Sequence, residues 1–411
     1  MKKRLILFCL LLLGACGPSG HEIPSETKDT GSAGYHDKNY RIIAEANNRF
    51  AIELFKQILE KEGNGNLFIS PASIHIALAM AEAGAAGKTA EEMSTILHIG
   101  HLKEKEKFSA YDSLLDLAEW KDYGVTLNIA NSLWIREGYP FLESYLKNVK
   151  SSFHAKVEEV DMARSDTADK MNEWVKKQTN NKIKNIIQEL RPDTVSVLLN
   201  AIYFKGDWKK EFDEKRTYEG EFLLSDGRTT NHPFMIQEGE YNYIENDLFQ
   251  AVELPYRGEH TSMIVVVPKE GKTLQDFFQH FSFEMWNGWM GGFSSKEGTV
   301  ALPRFQMEYE VPLSESLMAL GMTSAFSREA DFSKMVENGG IHISDVLHKS
   351  FIEVNEKGTE ASGATAVIIV ESVNTEHFSF TADRPFFFAI LDKESGMFLF
   401  MGNVFQPDVK N

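Results

Sequence analysis

Serine, histidine and aspartate are plentiful in this chain, but no motif gathers them into a catalytic arrangement. There is no G-x-S-x-G turn to expose a serine nucleophile, no H-E-x-x-H pair to hold zinc on one helix face, and no phosphate-cradling loop. The two cysteines, Cys9 and Cys16, both lie near the N-terminus, so residues 17–411 offer no disulfide, thiol nucleophile or Cys metal site. The residues with a chemistry of their own lie elsewhere. After the charged start Glu356-Lys357, the run Gly358–Val373 (GTEASGATAVIIVESV) contains small and β-branched residues but no Pro, Lys, Arg or aromatic side chain. Such a composition favours a strand. Its first half, GTEASGAT, is too poor in large side chains to pack a core. A segment able to be a strand, yet small enough to slide in late, points to a loop that changes state.

The rest of the chain must provide the sheet for such a strand. NNRFAIELFKQILEKE reads as an amphipathic helix ended by Gly63. Ser70-Pro71 opens a second helix with Pro in its first turn. Thr89 and Glu92 have capping-box spacing for a third. Two more are expected over Glu104–Trp120 and Thr167–Glu189. Thr126–Ile135 and Ser196–Phe204 are apolar enough to be central strands. Tyr218–Pro268 reads almost entirely as strand and turn. Helices early, strands throughout and no regular βα alternation argue for a mixed α+β domain with large sheets.

Bulk properties narrow the partners. With 43% hydrophobic and 25% charged residues the chain can bury a sizeable core. Its net charge of −17 repels phosphate and disfavours nucleic acid. MKKR followed by apolar Leu5–Leu13 and Gly14-Ala15-Cys16 has the form of a secretory signal peptide over residues 1–15. Its LGAC ending resembles the bacterial lipobox, which makes Cys16 the lipidated first residue. Residues 16–39, rich in Gly, Ser, Pro and charge, read as a flexible tether. The globular part is expected over 40–411. The expected location is across the inner membrane and lipid-anchored; Gly17 in place of an acidic residue after Cys16 favours the outer membrane.

From about Tyr40 to the C-terminus the chain resembles a serpin. The resemblance rests on motifs in order: Asn66 to Met93 (N-x-x-x-S-P-x-S, A-L-x-M, G-A-x-G-x-T-x-x-E-M), Leu127–Asn131 (L-x-I-A-N), Asn172–Val175 (N-x-W-V), Asn200–Trp208 (N-A-I-Y-F-K-G-x-W), Glu356–Ala361 (E-x-G-T-E-A) and Phe380–Phe386 (F-x-A-D-R-P-F). It implies an α+β serpin fold with three β-sheets, about nine helices and an exposed reactive-centre loop near 356–379. It also implies a suicide substrate, not an enzyme, and a monomer without cofactor or metal whose partner is a target endopeptidase. The protease cleaves the loop, forms an acyl-enzyme and is trapped as the loop inserts into the central sheet. Strand addition and release of stored strain are the physics behind this.

The resemblance assigns a hinge (Glu356, Gly358, Thr359, Glu360, Ala361, Gly363, Thr365), a shutter (Ser70, Ser73, Asn200, His348) and a breach (Trp208, Arg304, Glu356). The shutter is expected to hold the strands together by a buried Asn–His–Ser network, and the breach by an ion pair near the surface worth about 1 kcal/mol. On insertion, Thr359, Ala361, Gly363, Thr365, Val367 and Ile369 share one face, without charge and with nothing large before Val367. That smooth face favours an inhibitor over a non-inhibitory binding or chaperone-like lipoprotein, the runner-up, and over an enzyme or an adhesin. Family spacing from Glu356 puts the cleaved residue at Ser372, while spacing back from Pro385 puts it at Asn374, before Thr375. Asn374-Thr375 and Val373-Asn374 are preferred, with Ser372 next. Between Gly358 and Asp383 there is no Lys or Arg, so trypsin-like enzymes are disfavoured. The valines and isoleucine suit elastase-like pockets, and Val373 before Asn374 suits papain-like ones.

Overall fold

The 25-residue helix Lys38–Glu62 begins the fold as its heptad-like apolar positions dictate, with Ile43, Phe50, Leu54, Phe55 and Ile58 buried on one side. It ends at Gly63, whose φ of +62° is the left-handed conformation that closes a helix. The computed structural model describes residues 38–118, 121–122, 124–258, 260–337, 339–359 and 377–408, and among them are nine α-helices and two hydrogen-bonded sheets. Pro71–Glu82 is capped by Ser70, whose hydroxyl accepts from Ser73 N at 3.2 Å. That helix is buried almost all round and forms the floor beneath the central sheet.

Two helix expectations are corrected. Thr89 and Glu92 form no capping box, because Ala86 is the N-cap of Gly87–Ile96. Thr89 Oγ1 instead accepts from Asp331 N at 2.9 Å, and Glu92 accepts from Thr323 N and Ser324 N at 2.9 and 2.6 Å. Distant backbone donors out-compete the local ones. The helix expected to reach Glu189 stops at Gln178. Asn180 and Asn181 follow it in the left-handed region, and the Thr179 hydroxyl takes the Ile183 N–H, so the helical ladder cannot continue.

The first sheet runs Phe305–Pro312, Leu347–Asn355, Gly358–Thr359, Ser196–Asp207, Val125–Arg136, Lys121–Asp122, with Lys156–Val160 pairing parallel to Val125–Arg136. The second has nine strands. Its buried centre is Thr261–Pro268 beside Phe386–Asp392 and Phe398–Val404, apolar runs that the helices cover. Where three sheets are implied, the ladders form two. The 17-residue strand Thr229–Glu245 joins the ladders of the second sheet into one, pairing with Tyr218–Leu223 and Ser294–Pro303 and then with Phe249–Pro255.

Candidate functional site

The central feature of the first sheet is a slot. Leu347–Asn355 pairs along its length with Phe305–Pro312, and Ser196–Asp207 pairs with Val125–Arg136. Between these halves the described residues supply only Gly358–Thr359, with Val354 opposite Thr359 and Asn355 opposite Gly358 on one side. On the other side Gly358 lies opposite Asp207 and Thr359 opposite Gly206. Positions 347–353 and 196–205 therefore have no inner partner among the described residues. Where Gly358–Thr359 lie, the two walls stand one strand apart.

The hinge has already turned in at the top of this slot. Gly358 is required there: a Cβ would stand 2.1 Å from the Gly206 carbonyl oxygen and 2.7 Å from Asp207 Cα. Thr359 is 2% exposed and points inward, as the alternation predicts, with its hydroxyl 2.7 Å from Tyr256 OH. Tyr256 stacks on Trp208 (centroids 4.6 Å, planes 10° apart), and Trp208 Nε1 donates to Asn355 O at 2.9 Å. The backbone N–H groups of Trp208 and Phe212 bond Lys357 O and Glu356 O, each at 2.8 Å.

Arg304 grips Glu356 through Nε, 2.7 and 2.9 Å from the two carboxylate oxygens, and through Nη2 at 2.6 Å. Thr217 Oγ1 donates to the same carboxylate at 2.5 Å. The surface latch of the sequence reading is corrected here. The Glu356 side chain is only 4% exposed, so removing its partner strands a buried charge instead of releasing a solvated one. Thr217 and Tyr256 carry no motif signal; only the tertiary contact shows them.

Ser70, Ser73, Asn200 and His348 come together at the lower end of the slot, but as two separate halves. On one wall Ser73 Oγ donates to Asn200 Oδ1, Asn200 Nδ2 donates to Asn131 Oδ1 at 2.6 Å, and Asn131 Nδ2 to Phe153 O at 2.7 Å. On the other, Ser70 N donates to His348 Nε2 at 3.1 Å, and Ser70 Oγ to Leu399 O at 2.7 Å. Among the described residues no hydrogen bond joins Asn200 to His348. Each wall is moored to the same helix N-terminus and not to the other wall. His348 is 5% exposed, and burial holds its pKa down to about 3, so its imidazole is neutral at ordinary pH. Asn131 was visible only as the last residue of a strand motif.

A strap crosses the outer face. Asn128 Nδ2 donates to Gln178 O at 2.9 Å and Asn180 Nδ2 to Tyr203 OH at 3.2 Å on one wall. Lys182 then reaches the other wall, 3.7 Å from Glu353 and 4.6 Å from the centroid of the Phe351 ring. At the far end of the loop, Phe378–Thr381 stays paired in parallel with Ser294–Pro303. Phe378 stacks on Tyr243 with centroids 4.0 Å apart, over Gly298, where a Cβ would meet its ring at 2.3 Å. Both ends of the loop are thus held. Glu360, Ala361, Gly363, Thr365, Ser372, Val373, Asn374, Thr375 and Cys16 lie outside the described residues.

Comparison with known proteins gives the architecture a family. The sequence profile of the serpins (serine protease inhibitor) matches residues 45–407. An uncharacterised serpin-like protein of Thermococcus kodakarensis is 39% identical over 370 residues, covering 89% of this chain and 86% of the relative. The leukocyte elastase inhibitor of Homo sapiens is 36% identical over 378 residues, covering 89% of this chain and 99% of the relative. Among solved structures, the thermophilic serpin tengpin in its native state matches with a TM-score of 0.81 at 29% identity, covering 90% of this chain and 95% of tengpin. With its slotted sheet, its inturned hinge and this breadth of matching, the chain belongs to the serpin family.

Proposed function

We propose that this serpin is a suicide-substrate inhibitor of elastase-like serine endopeptidases, and of papain-like cysteine endopeptidases at the same loop, with trypsin-like enzymes excluded. The observation that carries the proposal is Gly358–Thr359 paired between two walls that have no other inner partner among the described residues. The target's nucleophile attacks the carbonyl carbon of Asn374 or Val373, and the C–N bond to the next residue breaks. The new amine leaves with a proton from the protease's own acid, and the loop's N-terminal part stays esterified or thioesterified to the enzyme. That freed end is then free to follow Gly358 down the slot.

Continuing the observed register supports the fit. Ala361 comes opposite Ile352 and Phe204, Gly363 opposite Ser350 and Ile202, and Thr365 opposite His348 and Asn200. Thr365 thus takes the place between the two halves of the polar network, where its hydroxyl can bond both. On the outer face Ala364 comes opposite Ala201, which Met171 and Val175 of helix Thr167–Gln178 cover, so a small residue is needed there. About 15 inserted residues form roughly 10–15 backbone hydrogen bonds, each worth roughly 1 kcal/mol net. At ~3.3 Å per residue they carry the acylated end roughly 50 Å, enough to distort a bound enzyme.

Apolar specificity is supported by the loop's lack of basic residues and by the 36% identity to a leukocyte elastase inhibitor. Lipid on Cys16 and the 16–39 tether hold the inhibitor, as a monomer, at the outer membrane; the leader sequence supports this. The test is incubation with elastase, papain and trypsin, followed by a denaturing gel and the mass of the released C-terminal peptide. An SDS-stable complex with elastase or papain and cleavage within Ser372–Thr375 is expected. A stable covalent complex with trypsin mapped to this loop overturns the specificity, and cleavage without any complex overturns the inhibitor.

A further inference from the structure

Outside the slot, three metal-ligating side chains meet where the helix Glu104–Ala118 passes the end of the helix Glu143–Ser152. Asp112 and Asp116 stand four residues apart on one face of the first helix. His154 follows the second, and its Nε2 lies 2.8 Å from Asp112 Oδ1 and 3.7 Å from Asp116 Oδ1. One ligand atom from each residue falls within 4.8 Å of the other two. The histidine is fixed on both sides. Phe153 packs on Tyr111 of the first helix with centroids 4.9 Å apart, its carbonyl accepts from Asn131 Nδ2 at 2.7 Å, and Ala155 N donates to Val149 O at 3.1 Å. Packing thus sets the imidazole against the two carboxylates before anything binds.

A salt bridge accounts for only half of this arrangement. Asp112 has its hydrogen bond with His154, but Asp116 at 3.7 Å is beyond hydrogen-bond reach. Asp116 also stands four residues from a like charge and in the last described turn of its helix, at the negative end of the dipole, with no basic residue in that turn. Among the described residues neither carboxylate is paired with Lys or Arg. A cation held between the three side chains relieves that repulsion. Bonds of about 2.0–2.1 Å to a tetrahedral ion set its ligand atoms about 3.3 Å apart, between the 2.8 and 3.7 Å found here. One imidazole with two carboxylates suits zinc, whereas calcium and magnesium take oxygen ligands and soft ions take sulfur. We infer that Asp112, Asp116 and His154 form a zinc-binding site, with water in the fourth position, that ties the two helices together. The site stands apart from the function proposed above and does not depend on it.

The test uses the full-length protein and ZnCl2, with CaCl2 as the oxygen-seeking control. Calorimetry should show a zinc site with a Kd of about 10 μM or tighter, and calcium at least about tenfold weaker. Two variants locate the site. Asp116→Ala removes a side chain that is 71% exposed and 3.7 Å from His154, so the bond between His154 and Asp112 and the fold stay intact. His154→Gly removes the imidazole while accepting the same φ of +48°. Each should weaken that site about tenfold or more. Zinc should raise the midpoint of thermal unfolding of the native protein, and raise that of Asp116→Ala by less at the same concentration. Zinc binding weaker than about 10 μM, or calcium binding equally well, overturns the inference. So does a zinc site that survives Asp116→Ala unchanged, which would leave His154 and Asp112 as a salt bridge and nothing more.

Discussion

Thr359→Arg tests the insertion path at its first inward position. The native side chain is 2% exposed and touches the hydroxyl of Tyr256, itself stacked on Trp208, so a guanidinium there would be held away from water against aromatic rings. Burying an unpaired cation costs several kcal/mol even after relaxation. Full insertion gains more than this, about 10 kcal/mol from backbone pairing. Arginine at 359 is therefore expected to expel the hinge from the top of the slot, so that the final state survives while re-entry becomes an uphill first step. A barrier raised by about 4 kcal/mol slows that step about a thousandfold, and deacylation of the trapped enzyme then wins the competition. The assay is stoichiometry of inhibition against elastase or papain, read together with the yield of SDS-stable complex. The expected result is near-complete cleavage with little or no complex. Thr359→Val, which loses only the hydroxyl bond to Tyr256, should remain an inhibitor within a few-fold. An SDS-stable complex formed by Thr359→Arg at unchanged stoichiometry would refute the reasoning.

Glu356→Ala removes the acceptor of Arg304 and Thr217 and should lower the unfolding free energy by about 2–3 kcal/mol, less than for a fully buried pair because Arg304 keeps access to water. A change below about 0.5 kcal/mol in thermal or denaturant unfolding would contradict the buried latch. Two neutral histidines make stability fall in acid. Burial lowers the pKa of His348 to about 3 and of His75 to about 4, so below the unfolded value of ~6.5 the unfolded chain binds the extra protons. Their contribution is complete above pH ~6.5 and should shrink by about 4 kcal/mol in total between pH 7 and pH 5. Denaturant unfolding that is level across this interval would show that the two rings do not stay neutral.

Much of the architecture was legible because periodicity and capping are local. Ser70-Pro71 opens a helix where its chemistry predicts, and the apolar runs around Val125–Arg136 and Ser196–Asp207 are neighbouring strands. Alternation alone placed Thr359 on the inward face, and it is inward. Thr89 and Glu92 show the limit of that logic. Their spacing was right for a capping box, but Asp331, Thr323 and Ser324 offered better partners from more than 200 residues away.

By itself, then, the sequence determined the smooth hinge face and the absence of a basic bait residue, since both are properties of residue order. It also determined most of the strands and helices, whose apolar spacing is set within a few residues. Only the tertiary structure decided that Glu356 is buried, that Asn200 and His348 stand on opposite walls with no hydrogen bond joining them among the described residues, and that Gly358–Thr359 already lies between those walls at the top. Burial and pairing across a sheet depend on which distant segment arrives alongside, and that information exists only once the chain has packed.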